Sequence, residues 1–256
     1  MRYTEAPQRR EELVRRLTGA GYMSSQRLAS DLGVSEMTIR RDLDRLGEGG
    51  LVHRVAGGAV LAGAGQWPAG GEPFDQRTTH GLSEKRAIAR AALDLVGGAT
   101  SLALDAGTTV AQVADDLPCG VLVATHSVPV LTACAERTDL QLIGLGGVYQ
   151  HATRSFAGPG TRAAITDLAV DVALLSAVAV GPGGLYCANP LDAETKQLLA
   201  GCAGRVILLA DHTKLTASAP LRFATLSGID VLVTDAGIDP EHLAMLRDAV
   251  AQVVVA

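Results

Sequence analysis

Lysine is missing from the first 60 residues, cysteine is sparse, and no long apolar run occurs anywhere in the 256-residue chain. The start of the chain is polar and Arg-rich (Arg9, Arg10, Arg15, Arg16) and no apolar stretch approaches bilayer length, so neither a secretory leader nor a helical membrane span is expected, and a cytoplasmic protein with no membrane partner is. The four cysteines, Cys119, Cys134, Cys187 and Cys202, are far apart and form no C-x-x-C. The histidines form neither H-x-H nor H-E-x-x-H. A disulfide framework and a metal site are therefore not expected, and reduced structural thiols are.

Even without lysine, residues 1–60 carry 10 Arg against 8 acidic residues. The whole chain has 22 basic and 27 acidic residues, which leaves 12 basic and 19 acidic for the remainder. An acidic remainder repels phosphate backbones and confines any nucleic-acid contact to the front. The length admits a small and a larger domain.

From Gln8 to Thr18, Leu13, Val14 and Leu17 share one side of a helical period, which predicts an amphipathic helix ending at Gly19. A second helix is predicted over Gln26–Leu32 with Ser25 as its cap, and Gly33 permits a sharp turn. Ser35 caps a third, running to about Leu46, with Ile39, Leu43 and Leu46 inward and Thr38, Arg40 and Arg41 outward. Residues 51–60, with a Gly57-Gly58 pair, suit a β-hairpin. Residues 61–73, rich in Gly, Ala and Pro, read as a linker. The domains are therefore placed at 1–60 and 74–256.

After Ser83, a plausible helix cap, helical patterns alternate with the short apolar runs Ser101–Leu104, Val121–Thr125, Leu140–Leu145, Val172–Ala177, Val206–Ala210 and Val231–Thr234. This alternation predicts an α/β domain with a mostly parallel sheet, whose ligands gather at the carboxyl ends of the strands. The loops there hold Asp105-Ala-Gly-Thr-Thr109, Thr125-His-Ser127, Gly146-Gly147 and Asp211-His-Thr-Lys214. A glycine that lets the backbone approach, with hydroxyls at a helix start, makes a phosphate cradle; the same residues also make an ordinary strand-to-helix turn. Lys214, and Lys196 beside Glu194, are cations able to reach one crevice, or solvated surface residues.

Residues 25–46 meet the requirements of a helix-turn-helix; a small three-helix bundle with a solvated Arg face is the alternative. The run Val34-Ser-Glu-Met-Thr-Ile-Arg-Arg-Asp-Leu43 resembles the recognition-helix signature of the DeoR family of regulators, and Arg54-Val-Ala-Gly-Gly-Ala59 resembles its wing. The resemblance implies DNA contacts from Ser35, Thr38, Arg40, Arg41 and Arg54. Ser83-Glu-Lys85, Asp105-x-Gly-Thr-Thr109, Gly146-Gly147, Asn189-Pro190 with Glu194-x-Lys196, and Asp211-x-x-Lys214 are similar to motifs of that family's sensor domain.

The implied fold is α/β, a winged helix-turn-helix followed by a larger, mostly parallel sensor domain related to ribose-5-phosphate isomerase. The implied function is a homo-oligomeric repressor of a sugar or carbohydrate catabolic operon, bound to double-stranded operator DNA and controlled by a phosphorylated sugar, with no cofactor. Asp105 would bond a sugar hydroxyl, Gly107, Thr108 and Thr109 would surround the anion, and Lys214 would offset its charge. His126, Ser127, Gly146, Gly147, Glu194 and Lys196 complete the expected effector site. The chain departs from the family pattern at His126 and His212, where Asn and Ser are usual, and at Ser176-Ala-Val-Ala-Val180.

A sugar-phosphate isomerase with an accessory domain is the main rival. An enediol route needs a positioned carboxylate, and Leu174–Gly181 contains none, although Asp105 or Asp211 can serve in principle. Gly158-Pro-Gly160-Thr-Arg-Ala163 formally fits a dinucleotide fingerprint, but it follows no convincing apolar strand and holds Pro159 inside the turn, so no nicotinamide or flavin is expected.

Overall fold

The computed structural model describes residues 6–20, 22–55, 58–61 and 72–256, and the chain falls into two compact units. In the first, helices α1 (Ala6–Ala20), α2 (Ser25–Leu32) and α3 (Glu36–Glu48) are joined by short strands β1 (Tyr22–Ser24), β2 (Val52–Val55) and β3 (Gly58–Leu61). The antiparallel sheet has the order β1-β3-β2. Leu13, Leu17, Leu28, Ile39 and Leu43 are fully buried around Val52 and Ala59. Each such aliphatic side chain contributes roughly 1.5–3 kcal/mol by leaving water. Gly33, at φ +65°, makes the turn between α2 and α3 in the left-handed region that β-carbons disfavour. One polar pair belongs to this core: the Arg9 guanidinium of α1 lies 2.5 Å from Asp42 of α3, both nearly buried. The expected linker lies almost wholly outside the described residues, as does Gly57 of the expected hairpin turn.

The second unit begins with α4 (Phe74–Thr79) and α5 (Leu82–Leu95). There follow β4 (Ser101–Leu104), α6 (Thr108–Ala111), β5 (Leu122–Thr125), α7 (Val128–Ala135), β6 (Gln141–Gly144), β7 (Val148–Gln150), β8 (Ser155–Ala157), α8 (Pro159–Thr166) and β9 (Val170–Ser176). The chain continues through β10 (Ala179–Gly181), β11 (Gly184–Cys187), α9 (Pro190–Gly201), β12 (Ala203–Leu209), β13 (Leu221–Ala224), β14 (Val231–Thr234), α10 (Pro240–Ala249) and β15 (Gln252–Val255).

Seven strands form one parallel sheet, in the order β15-β14-β12-β9-β4-β5-β6. Alternation along the strands divides the core between its faces. Leu102, Leu104, Leu174 and Ile207 pack with Ile88 of α5 and Val130 of α7, whereas Ala103, Leu175 and Leu208 pack with Ile165 of α8, Leu199 of α9 and Leu246 of α10. With helices on both faces the inner strands are apolar on both sides, which is why they read as continuous runs, whereas the edge strands β6 and β15 are exposed or half-buried throughout.

Three readings need correction. Gly81, at φ +58°, precedes α5 as its cap, and Ser83 sits inside the helix, donating its hydroxyl to Glu84. A short strand, β8, does precede Gly158, but it pairs antiparallel with β7 and belongs to no parallel crossover. The small antiparallel sheet β10-β11-β13 and the edge strand β15 were not expected. Strands β10, β11 and β13 each hold a glycine or a polar residue among their three or four residues, so none shows the run of three aliphatic residues found in β4 or β14.

A helix-turn-helix and a strand-end pocket

The Ser35 hydroxyl accepts from Thr38 N at 3.2 Å and meets the Thr38 hydroxyl at 2.8 Å, so both expected DNA-contacting hydroxyls also close the start of α3. Ile39, Leu43 and Leu46 are buried, and Arg40 and Arg41 project from the opposite side. Arg40 is held by Glu36 at 2.7 Å, one turn back, whereas Arg41 has no ion pair among the described residues. Arg54 lies in β2 opposite Ala59 of β3, and its side chain is outside the described residues.

In the second unit the strand order reverses between β4 and β9, and the segments after β4, β5, β9 and β12 all open at the carboxyl edge. Asp105, directly after β4, is fully buried. One carboxylate oxygen accepts from Ser176 N at 2.9 Å, from the Ser176 hydroxyl at 2.6 Å and from Lys196 Nζ at 2.5 Å; the other faces His126 Nε2 at 3.3 Å. Burial alone would raise its pKa, but Lys196 and His126 outweigh that and hold it well below the usual carboxylate range. With both oxygens occupied, Asp105 is a brace for Lys196, His126 and Ser176. The expected bond to a sugar hydroxyl would have to displace one of them.

Lys196 is equally committed. Burial pulls its pKa down, but Asp105 and Asp192 more than reverse this and keep it charged. Asp192 Oδ1 lies 3.6 Å from the ammonium, one turn back on α9. Glu194, expected beside Lys196 in the effector site, pairs with Arg162 of α8 at 3.0 Å. Burial pushes the Asp192 carboxyl above its usual value more strongly than Lys196 lowers it.

The other expected residues divide between framework and pocket. A β-carbon on Gly107 would fall 2.2 Å from the Ser176 hydroxyl, so this glycine is required by β9 itself. Thr108 and Thr109 start α6 and are buried. Ser127 caps α7 and is also buried. Gly146 accepts from the Thr161 hydroxyl at 2.8 Å, and a β-carbon on Gly147 (φ +153°) would strike the same hydroxyl, so this pair supports the start of α8. His126 does reach a small polar cavity, with Gln150, Thr153, Ser155, Asn189 and Asp192. Its Nδ1 lies 2.9 Å from the Phe156 carbonyl oxygen.

Lys214 sits in a 3-10 turn (His212–Leu215), 3.6 Å from Asp211, whose carboxylate caps that turn. His212 Nδ1 is 2.7 Å from Asp235. Two further cations were not assigned to the site by sequence reasoning. Lys85 is buried and donates to the carbonyls of Arg77 and His80. Its pKa is lowered, first by burial and then by the neighbouring Lys214. Arg77, from α4, lies over the Phe74 ring and within the field of Asp192 and Asp105. Lys85 stood inside a motif in the sequence, but nothing in its pattern announced burial; α4 was too short to be noticed.

A family model described as the DeoR-like helix-turn-helix domain matches residues 9–63, and one described as the DeoR C terminal sensor domain matches residues 81–236. The chain is 30% identical to the HTH-type transcriptional regulator GlpR of Haloferax volcanii over 96% of each chain. It is 27% identical to a putative aga operon transcriptional repressor of Escherichia coli O157:H7, over 99% of this chain and 95% of that one. Among solved structures, ribose 5-phosphate isomerase A of Methanocaldococcus jannaschii aligns at 18% identity over 51% of this chain and 53% of that one, with a TM-score of 0.37.

Proposed function

The chain belongs to the DeoR family of transcriptional regulators, and from that premise we propose that it is a repressor of a carbohydrate operon whose grip on operator DNA is set by a phosphorylated sugar or sugar derivative. In this reading residues 1–60 bind DNA, 61–73 link and 74–256 sense. The protein works in the cytoplasm as a homo-oligomer, so that two copies of α3 meet two half-sites.

The observation that supports an anionic effector is the placing of Lys214 in the turn directly after β12, partly exposed and 3.6 Å from Asp211 of its own turn, at the carboxyl edge of the sheet. A phosphate dianion suits such a point-like ammonium group. Lys196, already neutralised by Asp105 and Asp192, is assigned to the framework of the pocket. Calorimetry of the full chain against sugar phosphates, the same sugars without phosphate, and inorganic phosphate tests this. Phosphosugar binding with far weaker uptake of the free sugar is expected. A ligand at a hundredfold excess over Kd should add roughly 2.7 kcal/mol of stability. A broad panel without heat or thermal shift overturns the effector class.

An isomerase remains the second reading because one observation favours it: Asp192 lines the cavity with a raised proton affinity, the property of a general base. Asp105, saturated and strongly acidic, does not have that property. Turnover of aldose phosphates that disappears in Asp192→Asn would establish it.

A further inference from the structure

Helix α3 presents an outer face that is charged except at one place. Glu36, Arg40, Arg41, Asp44, Arg45 and Glu48 are all exposed, and among them Met37 is 59% exposed, in the first turn of the helix. Its position three and four residues before Arg40 and Arg41 puts the thioether beside the two guanidinium groups assigned to DNA. The inward side is already filled by Ile39, Leu43 and Leu46, so Met37 contributes nothing to the core.

Around Met37 the other first-turn groups are committed. Ser35 and Thr38 bond each other across the helix start, and Glu36 holds Arg40. In helix-turn-helix proteins the N-terminal residues of the second helix approach base edges. In the major groove the distinctive apolar group on those edges is the C5 methyl of thymine. A long, flexible thioether, open to water in the unbound protein, has the chemistry to cover that methyl, and neither a phosphate nor a polar base edge would take it without loss.

We propose that Met37 is a specificity-determining residue that reads a thymine methyl in the major groove of each half-site. This rests on the DNA-binding reading above and adds to it the base feature that α3 recognises.

The test selects an operator with the full chain from a random duplex library, then measures binding by fluorescence anisotropy at fixed salt with each thymine replaced singly by deoxyuridine, which removes only the methyl. At one thymine per half-site the wild-type protein should lose about fourfold in affinity, the equivalent of one buried methyl. Met37→Ala should bind the thymine operator about as weakly as the wild type binds one with deoxyuridine at that position in both half-sites, and should no longer distinguish thymine from deoxyuridine there. Met37→Leu, still apolar, should keep the preference. Unchanged thermal unfolding of both variants confirms that folding is not the cause. A wild type indifferent to every deoxyuridine, or a Met37→Ala protein with the same thymine preference as wild type, overturns the inference and leaves the regulator reading standing. A library that yields no enriched sequence overturns the regulator reading and this inference with it.

Discussion

Lys196 Nζ lies 2.5 Å from the Asp105 carboxylate across 91 residues of sequence, and both side chains are almost wholly withdrawn from water. The pair ties the loop after β4 to helix α9, and Ser176 at the end of β9 closes the triangle with bonds to both. It therefore fixes the switch point of the sheet at the place where the pocket opens.

Breaking that pair from one side should be expensive. Lys196→Met leaves a buried carboxylate uncompensated and is expected to cost about 3–5 kcal/mol in urea unfolding of the full chain. The pH dependence follows from the two shifts. The Asp105 pKa is depressed in the folded state, so its contribution is present above the unfolded value near 4 and is lost as pH falls. The Lys196 pKa is raised, so its contribution is present below its unfolded value of roughly 10.4 and is lost as pH rises through the folded one. Wild-type stability attributable to the pair should thus be flat from about pH 5 to 9, and Lys196→Met should flatten the loss on the alkaline side.

Gly107→Ala tests the close approach of the β4 loop to β9. The added methyl would overlap both the β-carbon and the hydroxyl of Ser176. A loss of about 1–3 kcal/mol is expected. In a Ser176→Gly background, which already lacks both overlapping atoms and the hydroxyl's bonds to Asp105 and Lys196, the same Gly107→Ala change should cost less than it does in the wild type. An equal cost in the two backgrounds would show that the strain lies elsewhere.

On the reading helix the two arginines should behave differently. Arg41→Ala removes a cation that has no ion pair among the described residues, and should weaken operator binding. If Arg41 meets a phosphate, the salt slope falls by about one; if it reads a base, specificity relaxes by about 1–3 kcal/mol at one position. Arg40→Ala also frees Glu36, whose charge then faces DNA unpaired, so its affinity should fall further than removal of one cation explains. Anisotropy titrations at several salt concentrations separate these outcomes.

Lys214→Ala should keep operator binding and lose the response to effector, since the side chain is partly exposed and pairs only with its own turn. By linkage, operator should change effector affinity by the factor with which effector changes operator affinity, with couplings of about 1–3 kcal/mol being typical. Calorimetry with and without operator, beside anisotropy with and without effector, checks both halves of the cycle. Equal effector affinity in the two conditions would remove the sensor from the regulatory role.

The helix-turn-helix was legible in the sequence because its causes are local. The periodic placing of Leu13, Leu17, Leu28, Ile39 and Leu43, the cap at Ser35 and the turn at Gly33 each act within a few residues, and the structure has all of them. The parallel strands were legible for a related reason, since burial on both faces leaves uninterrupted apolar runs. The strands β7, β8, β10, β11 and β13 escaped notice because each has a polar residue or a glycine among its three or four residues, and so lacks the run of three aliphatic residues that marks the equally short β4, β5 and β14.

What each polar residue does at the strand ends was decided only by the tertiary structure. Asp105 and Lys196 look in sequence like two separate ligand-binding groups, and Glu194 like the natural neighbour of Lys196; folding pairs the first two and sends Glu194 to Arg162. Gly107 and Gly147 look in sequence like room for a ligand, and in the structure a β-carbon at either would also strike Ser176 or Thr161. A sequence determines which groups are available and where local backbone geometry bends. Whether a charge is spent inside the protein or left for a ligand depends on which distant charge folding brings within bonding reach, and at low dielectric that one contact outweighs every local preference.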